Sequence, residues 1–460
     1  MFIITSLVIF SGFGCKQTNP KKYIVNLEIW GLFDDQDAFT EIIDNYKKAN
    51  PNIGKITYKK LMPDTYKQEI TDALAAGNGP DIFLIQNNWL AQFANKIYPA
   101  PLQFLTEKKF KDNFVDVVAS DFLSAEGAYG VPLSVDSLGL YYNKDLFNAA
   151  GITSPPRDWN EFADISKKLT KFDVSNQIVV SGTAMGTAYN INRSTDILNL
   201  LMLQSQTEMV DSISGQAVFD KVVQKKSGNS IPGQDALKFY TQFADSSSPQ
   251  YSWNSRMHYS IDAFSEGTLG MMLNYSWQID AIAKKAPKLN FAVAPVPQIP
   301  GNPPVNYANY WAFVVAKNKT PDTTGIAPAQ ATLVTNEIRV EEAWNFLLYL
   351  TTKPEQAIAV ATGVSGTGQT ADSNFDPAIN YLEKTNKIAA RRDLLDQQKI
   401  DAKLGPFVKG NLIAKNWYQA NSEAIEDLFS EMINQINRGQ ASVDVALKTA
   451  AVNVSQMMGK

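Results

Sequence analysis

The run DIFLIQ (81–86) is short and almost wholly apolar, and GNGP (77–80) bounds it on the N-terminal side. A strand with no polar face must be covered on both sides, as inside a parallel sheet and unlike the solvated face of an antiparallel one. The preceding residues supply that cover. In YIVNLEIW (23–30), Tyr23, Val25, Leu27 and Ile29 fall on one face at strand spacing. Phe39, Ile42, Ile43 and Tyr46 recur at helix spacing over 37–49, with acids in the first turn and Asn50-Pro51 as the stop. Residues 56–61 are strand-like, and Tyr66, Ile70, Ala73 and Leu74 form a second helix face. Strand, helix, strand, helix, strand predicts an α/β unit with right-handed crossovers. Ligands of such sheets bind beyond the C-terminal strand ends, which places 30–34 and Asn87, Asn88 and Trp89 at one rim.

A chain of 460 residues exceeds one such unit; at roughly 100–200 residues per domain it holds two or three. The second half repeats the alternation less regularly. A helix follows Pro155-Pro156 over 159–169, and helices span 196–203 and 234–244, with turn-rich sequence over 205–233. AFSEGTLGMMLNYSW (263–277) runs from helix end through glycine into an apolar strand that stops at Asn-Tyr-Ser-Trp. FAVAPVP (291–297) and YANYWAFVVA (307–316) are further strands, and the last third is helical, with packing stripes at 343–350 and 424–436 and a final helix over 443–458.

Composition removes several function classes. Net charge is −4 with no long Lys/Arg block, so no nucleic-acid partner is expected. One Cys and one His exclude an internal disulfide and argue against His/Cys zinc sites and His-dependent nucleophilic triads. GVSGTG (363–368) does not fit a dinucleotide fingerprint and is read as a loop, so no cofactor is expected. The single Cys is informative by position. MFIITSLVIFSGFGC (1–15) is a short apolar run leading through small residues to Cys15, followed by polar KQTNPKK (16–22). That is the form of an export signal, too short for a confident membrane span. It resembles a bacterial lipoprotein signal, which makes Cys15 the lipidated residue, 16–22 a tether, and the chain an exported protein anchored on the outer side of the cytoplasmic membrane.

Seven segments then agree with one family in order and spacing: AAGNGPDIFLI (75–85), YGVPLSVDSLGLYYNKDLFNAAGI (129–152), PPRDWNEF (155–162), FSEGTLGMMLNYSW (264–277), FAVAPVPQ (291–298), YWAFVVAK (310–317) and NWYQA (416–420). Together they resemble the extracellular solute-binding proteins of family 1, the sugar-binding components of ABC importers that include maltose-binding protein. The resemblance implies a type II periplasmic-binding-protein-like fold: two α/β lobes, a ligand cleft between them, and a helical C-terminal region. It implies a first lobe of 23–135 and 312–380 and a second of 136–311 and 381–460. It also implies a monomer that captures a carbohydrate, an oligosaccharide, and hands it to an ABC permease.

Sugars present apolar ring faces and an edge of hydroxyls, so a binder needs aromatic plates and carboxylate or amide acceptors. By resemblance Trp277 and Trp417 are stacking plates, against core packing as the alternative. Asp34 is a rim acid or a helix-start acid. Asn88 stands where the maltose binder has an acid, which argues against maltose itself, and Trp89 beside it is a plate or a lobe-surface aromatic. Asp136 matches an acidic ligand contact, with a hinge hydrogen bond as the alternative. Arg193, in a second-lobe loop with Asn190, is a ligand contact or half of a buried salt bridge. Of Tyr310 and Trp311 at the second crossing, Tyr310 is expected to face the cleft. A rival class is a glycoside hydrolase, which needs two carboxylates opposed across the scissile bond; no spacing in the sequence marks such a pair. The same scaffold with a non-sugar ligand is the other rival.

Overall fold

A computed structural model describes residues 23–225, 228–354 and 375–458. The signal, Cys15, the tether and GVSGTG lie outside the described residues. The expected α/β unit is present. Val25–Gly31, Ile53–Lys60 and Ile82–Gln86 pair in parallel, and Trp311–Val315 closes the far edge antiparallel to Ile82–Gln86. Helix Asp37–Ala49 buries the stripe read from sequence, including Phe39, Ile42, Ile43 and Tyr46. Ile82, Phe83 and Ile85 have no exposed surface, as a strand covered on both faces requires.

A second sheet runs in the order Phe291–Pro295, Gly139–Asn143, Leu269–Asn274, Ile178–Thr183, Lys171–Phe172. Gly139–Asn143 is antiparallel to both neighbours, whereas Leu269–Asn274 and Ile178–Thr183 are parallel. Helix Trp159–Leu169 lies on this sheet, its first turn capped by the Asp158 carboxylate. It lies so close that a Cβ on Gly182 would collide with the Ser166 carbonyl oxygen. Asn143 ends the strand and caps helix Lys144–Ala149 through its side chain, which explains why YYNKD turns so abruptly.

The two sheets are joined where the chain passes between them. Asp136–Ser137, Asn306–Asn309 and Ala414–Lys415 form a small separate sheet with Asn306–Asn309 in the centre. The C-terminal helices divide. Pro377–Thr385 packs on Asp37–Ala49 and on Asn336–Thr351, beside the first sheet, and Ser422–Asn437 and Val443–Met458 pack on Ser194–Gln204 and Pro232–Thr241, beside the second.

At the pole of the first sheet away from its C-terminal ends, Asp81 is fully buried between Arg339 (3.3 Å) and Lys319 (3.0 Å). Arg339, itself without exposed surface, also donates to the Ala316 carbonyl at 2.6 Å and the Asn336 side chain. Removing one member of a buried pair leaves the other charge uncompensated. Arg339→Leu is expected to lower unfolding free energy in urea by about 3–5 kcal/mol. A loss below about 1 kcal/mol, the scale of an exposed pair, would show the cluster to be solvated.

Candidate functional site

The first-lobe rim is built on the chain leaving Val25–Gly31 and Ile82–Gln86. Phe33 sits there in left-handed conformation (φ 59°) and is 51% exposed, an arrangement rare for a bulky residue and worth a functional reading. Its ring meets Trp311 edge-on at 5.7 Å, and Trp311 in turn meets Trp89 at 5.0 Å and Tyr66 at 5.9 Å. Trp311 is partly exposed; Trp89 is buried, stacked on Phe93 at 6.0 Å with the Lys67 ammonium 4.8 Å from its ring. The exposed aromatic surface on the first lobe is therefore Phe33, edge-on to partly exposed Trp311, with buried Trp89 behind them. Two buried atoms here have no hydrogen-bond partner among the described residues, Asn88 Oδ1 and Trp89 Nε1. Such orphans cost about 1–3 kcal/mol each, a cost that a polar ligand or water offsets. Asp34, read from sequence as a rim acid or a helix-start acid, is engaged within the chain. Its carboxylate is held by the Lys387 ammonium at 2.6 and 2.7 Å and by the Tyr381 hydroxyl at 2.8 Å, inside the first lobe.

The second-lobe rim is the end of Leu269–Asn274. Trp277 is 44% exposed and stacks on buried Tyr275 with centroids 4.5 Å apart. The Arg193 guanidinium is 5.5 Å from the Trp277 centroid and 5.8 Å from that of Tyr275. Nearly equal distances set it beside the stack, so the outer face of Trp277 stays open. Arg193 occupies a left-handed position before helix Ser194–Gln204, and its Nε is buried without a hydrogen-bond partner. No described carboxylate lies within ion-pair distance of it, although Asp196 and Glu426 act on it electrostatically. Asp196 accepts from the Tyr275 hydroxyl at 2.8 Å, and burial holds its carboxyl above the usual range. Burial raises Glu426 as well, and Asp196 adds to the effect. Asn190 is spent on structure, donating to the Asn254 and Met257 carbonyls.

Asp136 is buried, and both of its carboxylate oxygens accept hydrogen bonds from within the chain. One carboxylate oxygen accepts from the Ser276 backbone N–H at 2.8 Å and the Ser276 hydroxyl at 2.6 Å, the other from the Ser137 N–H at 2.8 Å. It thus holds the turn that presents Trp277. Burial pushes its carboxyl up to about 7, against the pull of these donors.

Between the rims, Gln86 Nε2 donates to Asn309 Oδ1 at 3.2 Å, linking the first sheet to the central crossing strand. Tyr310 is buried, its hydroxyl donated to Asp121 at 2.7 Å, so the residue that faces outward at this crossing is Trp311. Trp417 is packed: its indole N–H bonds Asn199 at 2.9 Å and its ring lies parallel to Phe429. The next residue, Tyr418, is the exposed one. Asp121 and Phe33 were not singled out from sequence, beyond the placement of 30–34 at the rim, and Trp311 appeared only as the alternative to Tyr310. The Lys67 ammonium also bridges to Glu423 at 2.9 Å, tying a first-sheet helix to the start of Ser422–Asn437.

The sequence matches the model for bacterial extracellular solute-binding proteins over residues 30–357. It is similar to a putative binding protein of Brucella abortus, 25% identical over 92% of this chain and 90% of that one. It is also similar to a multiple sugar-binding protein of Streptococcus mutans, 23% identical over 76% of each. Its structure overlays the sugar-binding protein MalE of Xanthomonas citri with a TM-score of 0.70 at 17% identity, covering 94% of this chain and 97% of that one. The fold is the two-lobed type II arrangement. No helix among the described residues is long and apolar enough to cross a membrane.

Because the Asp136 carboxyl lies near 7 when folded and near 3.8 in an open chain, the folded state holds its proton more tightly. The resulting stabilisation is complete below about 4 and is lost as pH rises through about 7. Wild-type protein is expected to gain thermal stability between pH 8 and pH 5 by about 3 °C more than Asp136→Asn does over the same interval. Parallel pH profiles for the two would place the titration elsewhere.

Proposed function

The chain belongs to the bacterial extracellular solute-binding proteins, and on that premise we propose that it captures an oligosaccharide between its lobes and delivers it to an ABC permease. The observation that carries this reading is the pair of exposed aromatic surfaces, Phe33 with Trp311 on one lobe and the open face of Trp277 on the other. Flat apolar plates on both rims suit the faces of sugar rings. Beside them, buried Asn88 Oδ1, Trp89 Nε1 and Arg193 Nε have no hydrogen-bond partner among the described residues, so polar groups line both rims behind the aromatic surfaces. The names of the Streptococcus mutans relative and of the Xanthomonas citri neighbour point to the same ligand class.

In this reading residues 23–135, 312–354 and 375–398 make the first lobe, and 136–311 with 405–458 the second. The division moves Pro377–Thr385 and Arg392–Gln398 to the first lobe, because they pack on Asp37–Ala49 and Glu107–Asn113, whereas the sequence segments suggested a break at 381. The chain acts as a monomer that binds without turnover, and Cys15 carries the lipid that keeps it at the outer face of the cytoplasmic membrane.

Calorimetry with maltotriose, maltotetraose and mannotriose is expected to give binding heat for at least one of them. Trp277→Ala is expected to weaken that binding about tenfold, with a smaller change in the melting of the ligand-free protein than loss of a fully buried ring would cause, since Trp277 is 44% exposed. No heat with any of the three sugars would contradict the carbohydrate reading. Unchanged affinity in the variant would remove Trp277 from the site.

A further inference from the structure

Asp121 closes helix Asp116–Phe122, and sequence gave no reason to single it out. A single oxygen of its carboxylate, Oδ2, accepts from the Tyr310 hydroxyl at 2.7 Å, Asn416 Nδ2 at 2.8 Å and Asn87 Nδ2 at 3.3 Å. These donors come from three distant segments: the loop after Ile82–Gln86, the junction of the central crossing strand with the first sheet, and the residue following Ala414–Lys415. Asn87 and Tyr310 lie where the chain reaches the C-terminal edge of the first sheet, where ligands of open α/β sheets bind, and Asn416 follows a strand of the small crossing sheet. No cation is among the groups acting on Asp121, and burial pushes its carboxyl up to about 6, so it is ionised at neutral pH at some energetic cost.

Oδ1 differs from Oδ2. It accepts no hydrogen bond from any described residue, and it is not among the sealed polar atoms, a set that does include Asn88 Oδ1 and the neighbouring Asn416 Oδ1. The residue is half-buried. A charged oxygen is thus left accessible while its twin is fixed by three donors. Asp136 offers the contrast, with both oxygens satisfied from within the chain.

We propose that Asp121 is the carboxylate that reads the bound sugar: Oδ2 tethers it to the three segments, and Oδ1 accepts a hydroxyl proton of the ligand in a hydrogen bond. The inference rests on the carbohydrate reading. A hydroxyl bonded to an ionised acceptor gives a short, strong contact, and a carboxylate locked by three donors makes that contact without first losing side-chain freedom. Asn416 belongs to the same unit. Its amide N–H donates to Asp121 Oδ2, while its own Oδ1 is sealed from solvent.

Asp121→Asn separates tether from reader. The amide oxygen can still face the three donors, while the ligand-facing acceptor becomes a donor. With whichever of maltotriose, maltotetraose and mannotriose binds wild type most tightly, the variant is expected to bind about ten- to a hundredfold more weakly. Its ligand-free melting should be equal or higher, because an unpaired buried charge is gone. Affinity within twofold of wild type would overturn the assignment and leave the carbohydrate reading standing. Absence of binding by wild type to all three would overturn both. A crystal structure of the wild-type complex gives an answer even if the variant folds poorly: a sugar hydroxyl within hydrogen-bond distance of Asp121 Oδ1 supports the proposal, and a sugar bound without that contact contradicts it.

Discussion

Asp121 and the turn that presents Trp277 are both tied to the small sheet in which the chain crosses between lobes. Its central strand, Asn306–Asn309, pairs with Asp136–Ser137 on one side and Ala414–Lys415 on the other. Buried amides hold it together. Asn306 donates to the Ser137 hydroxyl and the Leu138 carbonyl, and Asn411 donates to the Val135 carbonyl at 2.7 Å. Leaving such groups unpaired in a dry interior is costly, so the crossings are fixed in register. That register carries outward. Asp136 leads to the Trp277 turn, Asn309 to Gln86, and Tyr310 and Asn416 to Asp121.

The chemistry gathered around the crossings is unusual for its charge. Asp121 and Asp136 are buried acids satisfied by neutral N–H and O–H groups and not by Lys or Arg. Salt-bridged acids occur instead at the far pole, where Asp81 meets Arg339 and Lys319, and at Asp34, where Lys387 takes the carboxylate. The division makes physical sense for a binder of neutral, hydroxyl-rich molecules. A carboxylate neutralised by a fixed cation has less to offer a hydroxyl than one held by dipoles. Across the lobes, the Lys67–Glu423 pair is partly solvent-exposed and adds at most a modest bias toward the closed arrangement, which leaves the ligand to supply most of it.

Much of the scaffold was legible because its signals are local. DIFLIQ and the stripe of Phe39 to Tyr46 each declare themselves within a dozen residues, whereas the division into two lobes came from the family resemblance. The rims were legible only where bulky residues end a strand, as at Trp277. The choice between Tyr310 and Trp311 turned on strand phase, since neighbouring side chains point to opposite faces; the hydrogen bond that fixes the phase comes from Asp121, far away in sequence. Trp417 carried the right residue type at the right place, yet its indole N–H found Asn199 and its ring found Phe429. Asp121 itself was invisible, because what distinguishes it is contact with residues 87, 310 and 416. Sequence periodicity records which face is buried, not which acid keeps an oxygen free.

If the cleft between the lobes is where an oligosaccharide is held, binding must favour the closed lobes over the open ones. Small-angle X-ray scattering of the ligand-free protein and of the protein saturated with the tightest-binding of the three trisaccharide and tetrasaccharide probes tests this directly. The account predicts a smaller radius of gyration and a shorter maximum dimension in the saturated sample. Saturable binding with superimposable scattering curves across the open-to-bound titration, and no loss of that binding in Trp277→Ala, would place the ligand outside the cleft and contradict it.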